Sequence, residues 1–102
     1  MLNRYPKAST LLTLGSNGSM FFEANVNLFQ PAISVTAIDT TAAGDTFIGY
    51  FLSHWMTHYD AAKAMFLAAN AAAMCVTREG AAYSIPSFAE VARFILDRDE
   101  DI

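Results

Sequence analysis

"VTAIDTTAAGDTFIGYFL", residues 35–52, sets a polar, glycine-bearing loop against one of the most apolar runs of the chain. From Ala43 onward the apolar spacing changes. Phe47, Phe51 and Trp55 recur every four residues with Ile48 and Leu52 beside them, which predicts a helix with a broad apolar face. Thr40 or Thr41 is placed to cap its start. The residues before Asp45 are small, so the first-turn amides, left unpaired by helix geometry, converge without side chains in the way. With the helix dipole they favour an anion, and Gly44 permits close approach. Asp45 falls in that same turn. A carboxylate beside an anion pocket can accept a hydroxyl proton while the amides stabilise a transferring phosphoryl group. The stretch also fits a flexible hinge, or an ordinary acidic helix start, and it lacks the GK[ST] of a Walker A loop.

Upstream, "STLLTL" (residues 9–14) reads as a buried strand stopped by the tight turn "GSNG". "MFFEANVNLFQP" predicts a hairpin or two short strands closed by Pro31. "ISVTAI" leads as an extended segment into Asp39. Downstream, Asp60 is placed as the N-cap of an alanine-rich helix running to about Met74. "VTREGAAYSIP" is a loop or short strand ended by Pro86. Ser87 and Glu90 have capping-box spacing ahead of a last helix whose apolar face holds Val91, Phe94 and Ile95. The acidic end "DRDEDI" reads as a solvated, frayed tail. Strands followed by packed helices predict an α/β fold. A buried strand at 9–14 needs neighbours on both sides and the chain supplies few, so the predicted fold is the later part of a larger sheet.

The 102 residues fit one small domain. An apolar fraction of 54% against 16% charged residues argues against disorder and for apolar surface that covers something outside the chain. A net charge of −4, with six scattered Lys and Arg, gives no attraction for nucleic acid or anionic membrane. A phosphate-bearing ligand therefore needs local help from amides, a dipole or a metal ion. The single cysteine, Cys75, excludes an internal disulfide and fits a reducing cytoplasm. The longest apolar run, residues 64–76, is too short to span a bilayer, and "LLTL" is too brief for a signal peptide. His54 and His58, one turn apart, form a metal-binding pair in spacing only. No third ligand is apparent, so a helix-surface or packing role is expected.

"TLGSNG" (Thr13–Gly18) is a glycine turn at the carboxyl end of a strand, a common nucleotide position in α/β sheets. Alone it is a weak signal, and "VTREGA" (76–81) is weaker. In this order and spacing, "TLGSNG", "DTTAAGDTF" and "VTREGAAYSIP" resemble the carboxyl-terminal third of the PfkB-family sugar kinases of the ribokinase-like kind, over about Leu11 to Pro86. A pyridoxal-kinase-like relative matches less closely. The resemblance implies the C-terminal part of a ribokinase-like α/β/α sandwich, with residues 1–102 a partial kinase domain. It would hold the nucleotide-binding part and lack the N-terminal sugar-binding part and lid.

The resemblance further implies ATP-dependent phosphorylation of a sugar hydroxyl, with Mg²⁺ on the phosphates. Asp45 would be the general base and the amides of Ala42, Ala43 and Gly44 the anion hole. Thr13, Leu14, Gly15, Ser16, Asn17 and Gly18 would line the ATP phosphates and ribose. Asn70 is the polar candidate near the adenine, although the position that matches by count is Ala69. An activating K⁺ would be held by Asp39, Thr41, Cys75, Arg78, Gly80 and Ser84, mostly through main-chain oxygens, which suit a hard cation. Cys75 also reads as a small packing residue and Asp39 as a turn aspartate. The implied partners are a sugar and a nucleotide, in the cytoplasm, with self-association or a complementing chain. The other reading is a catalytically incompetent fragment of such a kinase, acting only through that association.

Overall fold

The structure, a computed structural model, describes residues 9–36, 38, 42–77 and 85–100. Strands β1 (Ser9–Thr13), β2 (Ser19–Glu23) and β3 (Val26–Gln30) form an antiparallel sheet in the order β1-β2-β3. Helices α1 (Ala43–His58), α2 (Ala61–Val76) and α3 (Phe88–Glu100) follow. This is the expected α/β succession of short strands and packed helices.

Cross-strand register decides which residues meet the helices. Leu11, Phe21 and Leu28 lie opposite one another, and Leu12, Met20 and Phe29 form the next row. Side chains alternate faces along a strand, so the two rows point opposite ways. The first row turns to the helices: Phe21 is 2% exposed and packs with Phe47, Phe51, Met65 and Ala68. Its ring centroid lies 5.6 Å from that of Phe51 and 5.7 Å from that of Trp55. The second row is open, with Leu12 46% and Phe29 57% exposed.

The expectation of a buried strand at 9–14 is therefore corrected. Among the described residues β1 pairs only with β2 and is covered on one face, so Leu12 and Leu14 are exposed.

α1 and α2 are joined by two residues. Tyr59 takes a left-handed backbone (φ 54°) and its amide donates to the Trp55 carbonyl at 2.8 Å, which ends α1. Asp60 then caps α2, its carboxylate accepting from the Lys63 amide at 3.0 Å, as its position in the sequence implies. Ala64, Ala68 and Ala71 are fully buried on α2. With no side chain beyond Cβ, they let the neighbouring elements approach closely. α3 rests on α2 through Val91, against Leu67 and Ala71. Its capping box forms as predicted: the Ser87 amide donates to Glu90 Oε1 at 2.9 Å and the Glu90 amide to Ser87 Oγ at 3.2 Å.

Two local expectations are revised. The N-cap of α1 is Ala42, with no side-chain cap, while Thr40 and Thr41 lie outside the described residues. α3 continues through Glu100, so most of the acidic end is helical rather than frayed. An exposed Arg93–Asp97 pair at 3.2 Å and Arg98 over the Phe94 ring fall at the helical i, i+4 spacing. No described helix is long and apolar enough to cross a membrane.

Two predictions follow from this packing. Gly18 has φ 101°, and a Cβ there would stand 2.4 Å from the Gln30 carbonyl oxygen, a backbone atom with little freedom to move. Gly15 (φ 57°) has open space around it. Gly18→Ala is expected to cost more than about 2 kcal/mol, and Gly15→Ala about 1 kcal/mol. Urea midpoints of the two variants measure the difference.

His54 titrates below its ordinary range because of burial first, then the charge of His58 and of Lys63, against an opposing pull from Asp60. A depressed folded pKa contributes stability above the unfolded value, lost as pH falls through the folded one. His54→Gln should flatten the stability loss below about pH 6.5. Thermal midpoints across pH 5–7.5 that fall equally in both proteins would contradict this.

Candidate functional site

The β1–β2 connection carries the first half of the site. Leu14 donates to the Gly18 carbonyl at 2.8 Å, Asn17 to Leu14 at 3.0 Å and Gly18 to Gly15 at 3.2 Å, folding Gly15–Asn17 into one 3₁₀ turn. The amides of Gly15 and Ser16 make no hydrogen bond among the described residues. The second half is the start of α1. The Thr46 amide is the first to bond back, to the Ala42 carbonyl at 2.9 Å, and no described side chain caps the turn. Among the described residues the amides of Ala43 and Gly44 find no partner, which leaves them for solvent or a ligand.

These two halves border one pocket of about 560 Å³. Thr13, Gly15, Ser16 and Gly18 come from the loop, Ala43, Gly44 and Phe47 from α1, and Ala69, Ala72, Ala73 and Val76 from α2. Residues 30–35 close the remaining side. None of the described lining residues is charged. Among the described residues, amide dipoles are thus the source of positive potential at the pocket.

Of the expected nucleotide residues, Leu14 and Asn17 shape the loop without lining the pocket. Ala42 is buried against Cys75 behind the helix start. Asn70 is off the wall: it is 1% exposed and its Nδ2 donates to the Phe66 carbonyl of the preceding turn at 2.9 Å. One residue along a helix turns the side chain by about 100°, so Ala69 faces the pocket and Asn70 does not.

Asp45 is exposed on the same first turn but borders a different depression, of about 500 Å³, with Tyr50, Ser53, His54 and His58. The start of α1 thus stands between two cavities, amides toward one and carboxylate toward the other. Tyr50 ties the second cavity together by donating its hydroxyl to the Pro86 carbonyl. Burial, and next the charge of Glu90, raise the Tyr50 pKa, which keeps that donor protonated. The His54 and His58 ring centroids lie 4.5 Å apart with the rings tilted by 39°, and no trio of His, Cys, Asp or Glu placed for a metal occurs among the described residues.

Of the expected cation ligands, Asp39, Thr41, Arg78, Gly80 and Ser84 lie outside the described residues. Cys75 is buried beneath the start of α1, where its Sγ accepts from the Thr46 hydroxyl at 3.6 Å. Ser19, Gln30–Val35, Ala72, Ala73 and Val76 line the pocket without having been legible as site residues. The one sequence signal available was the alternation of β2, which puts Ser19 on the face of Phe21.

The model of the pfkB family of carbohydrate kinases matches residues 2–87 of this chain. A ribokinase of Schizosaccharomyces pombe is 45% identical over 87 residues, covering 83% of this chain and 27% of its own length. The structure of Arabidopsis thaliana ribokinase complexed with ribose and ATP superposes with a TM-score of 0.80 at 32% identity, over 85% of this chain and 28% of that one. The E. coli ribokinase II structure in complex with ATP and Mg²⁺ does so with a TM-score of 0.80 at 27% identity, over 87% and 29%. This chain therefore spans under a third of the length of each of these relatives. With the loop, the helix start and the match over most of its residues in agreement, the chain belongs to the pfkB family of carbohydrate kinases.

Proposed function

We propose that the 102 residues form the nucleotide side of an ATP-dependent sugar kinase, with the sugar-binding side and lid supplied by other residues. The observation that carries this is the single pocket bordered by the "TLGSNG" loop and the unpaired amides of Ala43 and Gly44. The triphosphate lies with its terminal phosphate at the anion hole of Ala42, Ala43 and Gly44. Asp45, on the far side of the same turn, faces the acceptor hydroxyl.

In the proposed reaction the hydroxyl proton passes to the Asp45 carboxylate as the oxygen bonds to the γ-phosphorus. The bond from that phosphorus to the β,γ-bridging oxygen breaks, and ADP leaves. The helix amides stabilise charge on the equatorial oxygens without reorganising.

Among the described residues no carboxylate lines the nucleotide pocket, so Mg²⁺ fits there as a companion of the phosphates. It supplies charge neutralisation there. A monovalent cation at Asp39, Thr41, Cys75, Arg78, Gly80 and Ser84 belongs to the same proposal, and ATP as donor fits a cytoplasmic setting. A second reading, a chain that works only through self-association or a complementing chain, is favoured by the exposed Leu12, Phe29 and Met56.

Isothermal titration with a nonhydrolysable ATP analogue, Mg²⁺ and K⁺ tests the proposal. The chain is expected to bind the nucleotide, and Asp39→Ala to weaken the K⁺ dependence. Absence of any binding at millimolar analogue would sink the nucleotide reading. The chain alone is expected to show weak or no turnover. Robust ATP consumption dependent on ribose or fructose would refute that part. In any preparation that does turn over, Asp45→Asn should lower the rate by about 10²–10⁴ while leaving nucleotide affinity nearly unchanged.

A further inference from the structure

Ser19 opens β2 with 1% of its surface exposed, and its buried hydroxyl oxygen has no hydrogen-bond partner among the described residues. Buried hydroxyls in folded proteins are nearly always paired, so an orphan on a pocket wall marks a place where a ligand atom belongs. Ser19 does line the 560 Å³ pocket. Its direction follows from the strand. Ser19 and Phe21 are two residues apart and share a face, and Phe21 is sunk into the helix layer against Phe51. The Ser19 side chain therefore lies on the helix side of the sheet, at the end where the pocket opens. Its cross-strand partners, Thr13 and Gln30, also line that pocket.

The surroundings say what kind of group it meets. The amides that favour negative charge are at Ala43 and Gly44, whereas Phe47, Ala69, Ala72 and Ala73 make the neighbouring walls apolar. A flat, mostly apolar group with a few polar edges suits those walls better than a triphosphate does. The side chain of Asn70, the polar candidate from α2, is engaged with its own helix.

Building on the reading of this pocket as a nucleotide site, we infer that the Ser19 hydroxyl hydrogen-bonds the nucleoside part of the bound nucleotide. A hydroxyl both donates and accepts, so it can serve either a ring nitrogen or a ribose hydroxyl.

The test is isothermal titration of the 102-residue chain and of Ser19→Ala, each with a nonhydrolysable ATP analogue and with inorganic triphosphate, both with Mg²⁺. Ser19→Ala should bind the analogue about three- to tenfold more weakly and triphosphate as the unsubstituted chain does. Its ligand-free thermal midpoint should be equal or higher, because the unpaired hydroxyl is gone. Ser19→Cys, which keeps the shape with a slightly larger atom and offers only a poor hydrogen-bonding thiol, should show the same loss. Unchanged affinity for the analogue in both variants overturns the inference and leaves the nucleotide reading intact. Equal weakening toward analogue and triphosphate also overturns it, since Ser19 would then act on the pocket as a whole. So does a ligand-free midpoint that falls in both variants, which would make the hydroxyl a structural group. Failure of the unsubstituted chain to bind the analogue removes the nucleotide reading and this assignment with it.

Discussion

Phe21 sits at the junction of the sheet and the helix pair, enclosed by Phe51, Trp55 and Met65, and that contact fixes where α1 lies over the strands. The Phe51 and Trp55 rings stack 5.8 Å apart beside it. Burying aromatic side chains of this size is the largest apolar contribution available to so small a sheet. With α1 held through Phe47 and Phe51, its uncapped first turn is carried to the end of the sheet where the β1–β2 loop folds. The pocket is a consequence of that alignment. The loop and the helix start are about thirty residues apart in the sequence.

The same packing separates two chemistries on one helical turn. Ala43 and Gly44 present amides to a pocket whose described lining carries no charged side chain. Asp45 lies around the helix, beside Tyr50 and His54. In the proposed reaction acid–base work and anion stabilisation need different surroundings, and a rigid helix start presents both at fixed spacing. Small residues are needed on the amide side for the reason that a side chain there would fill the approach. Beneath the turn, Cys75 and Ala42 pack together and Thr46 anchors to the Cys75 sulfur. The support of the site is thus compact and largely apolar.

One face of the sheet and one stripe of α1 have no cover among the described residues. Leu12 and Phe29 on the strands, and Ile48, Leu52 and Met56 on the helix, are exposed in a chain that spans under a third of its relatives' length. A sheet covered on one face keeps half of its apolar alternation in water, which is unfavourable by about 25 cal/mol for each Å² left exposed. The high apolar content of the sequence is spread between the core around Phe21 and these open faces.

Much of this was legible residue by residue. The four-residue spacing of Phe47, Phe51 and Trp55 identified α1, Asp60 and the Ser87–Glu90 pair marked the next two helix starts, and the glycines of "TLGSNG" marked the turn. Each is a local signal, because caps, turns and helical periods are fixed by neighbours within four residues. The order of the three motifs was likewise enough to indicate the family.

What the sequence left open depends on contacts between distant segments. It could not say that Ala69 rather than Asn70 faces the pocket, since that is a matter of helix rotation against α1 and the sheet. Nor could it separate the inward row of Leu11 and Phe21 from the outward row of Leu12 and Phe29, both equally apolar. Ser19 is an unremarked serine in the sequence, and only the register that buries it beside Thr13 and Gln30 gives its hydroxyl a pocket to face. Local signals determined the elements and their chemistry. Packing alone decided which atoms share a space, because register and rotation are set by burial across the whole core.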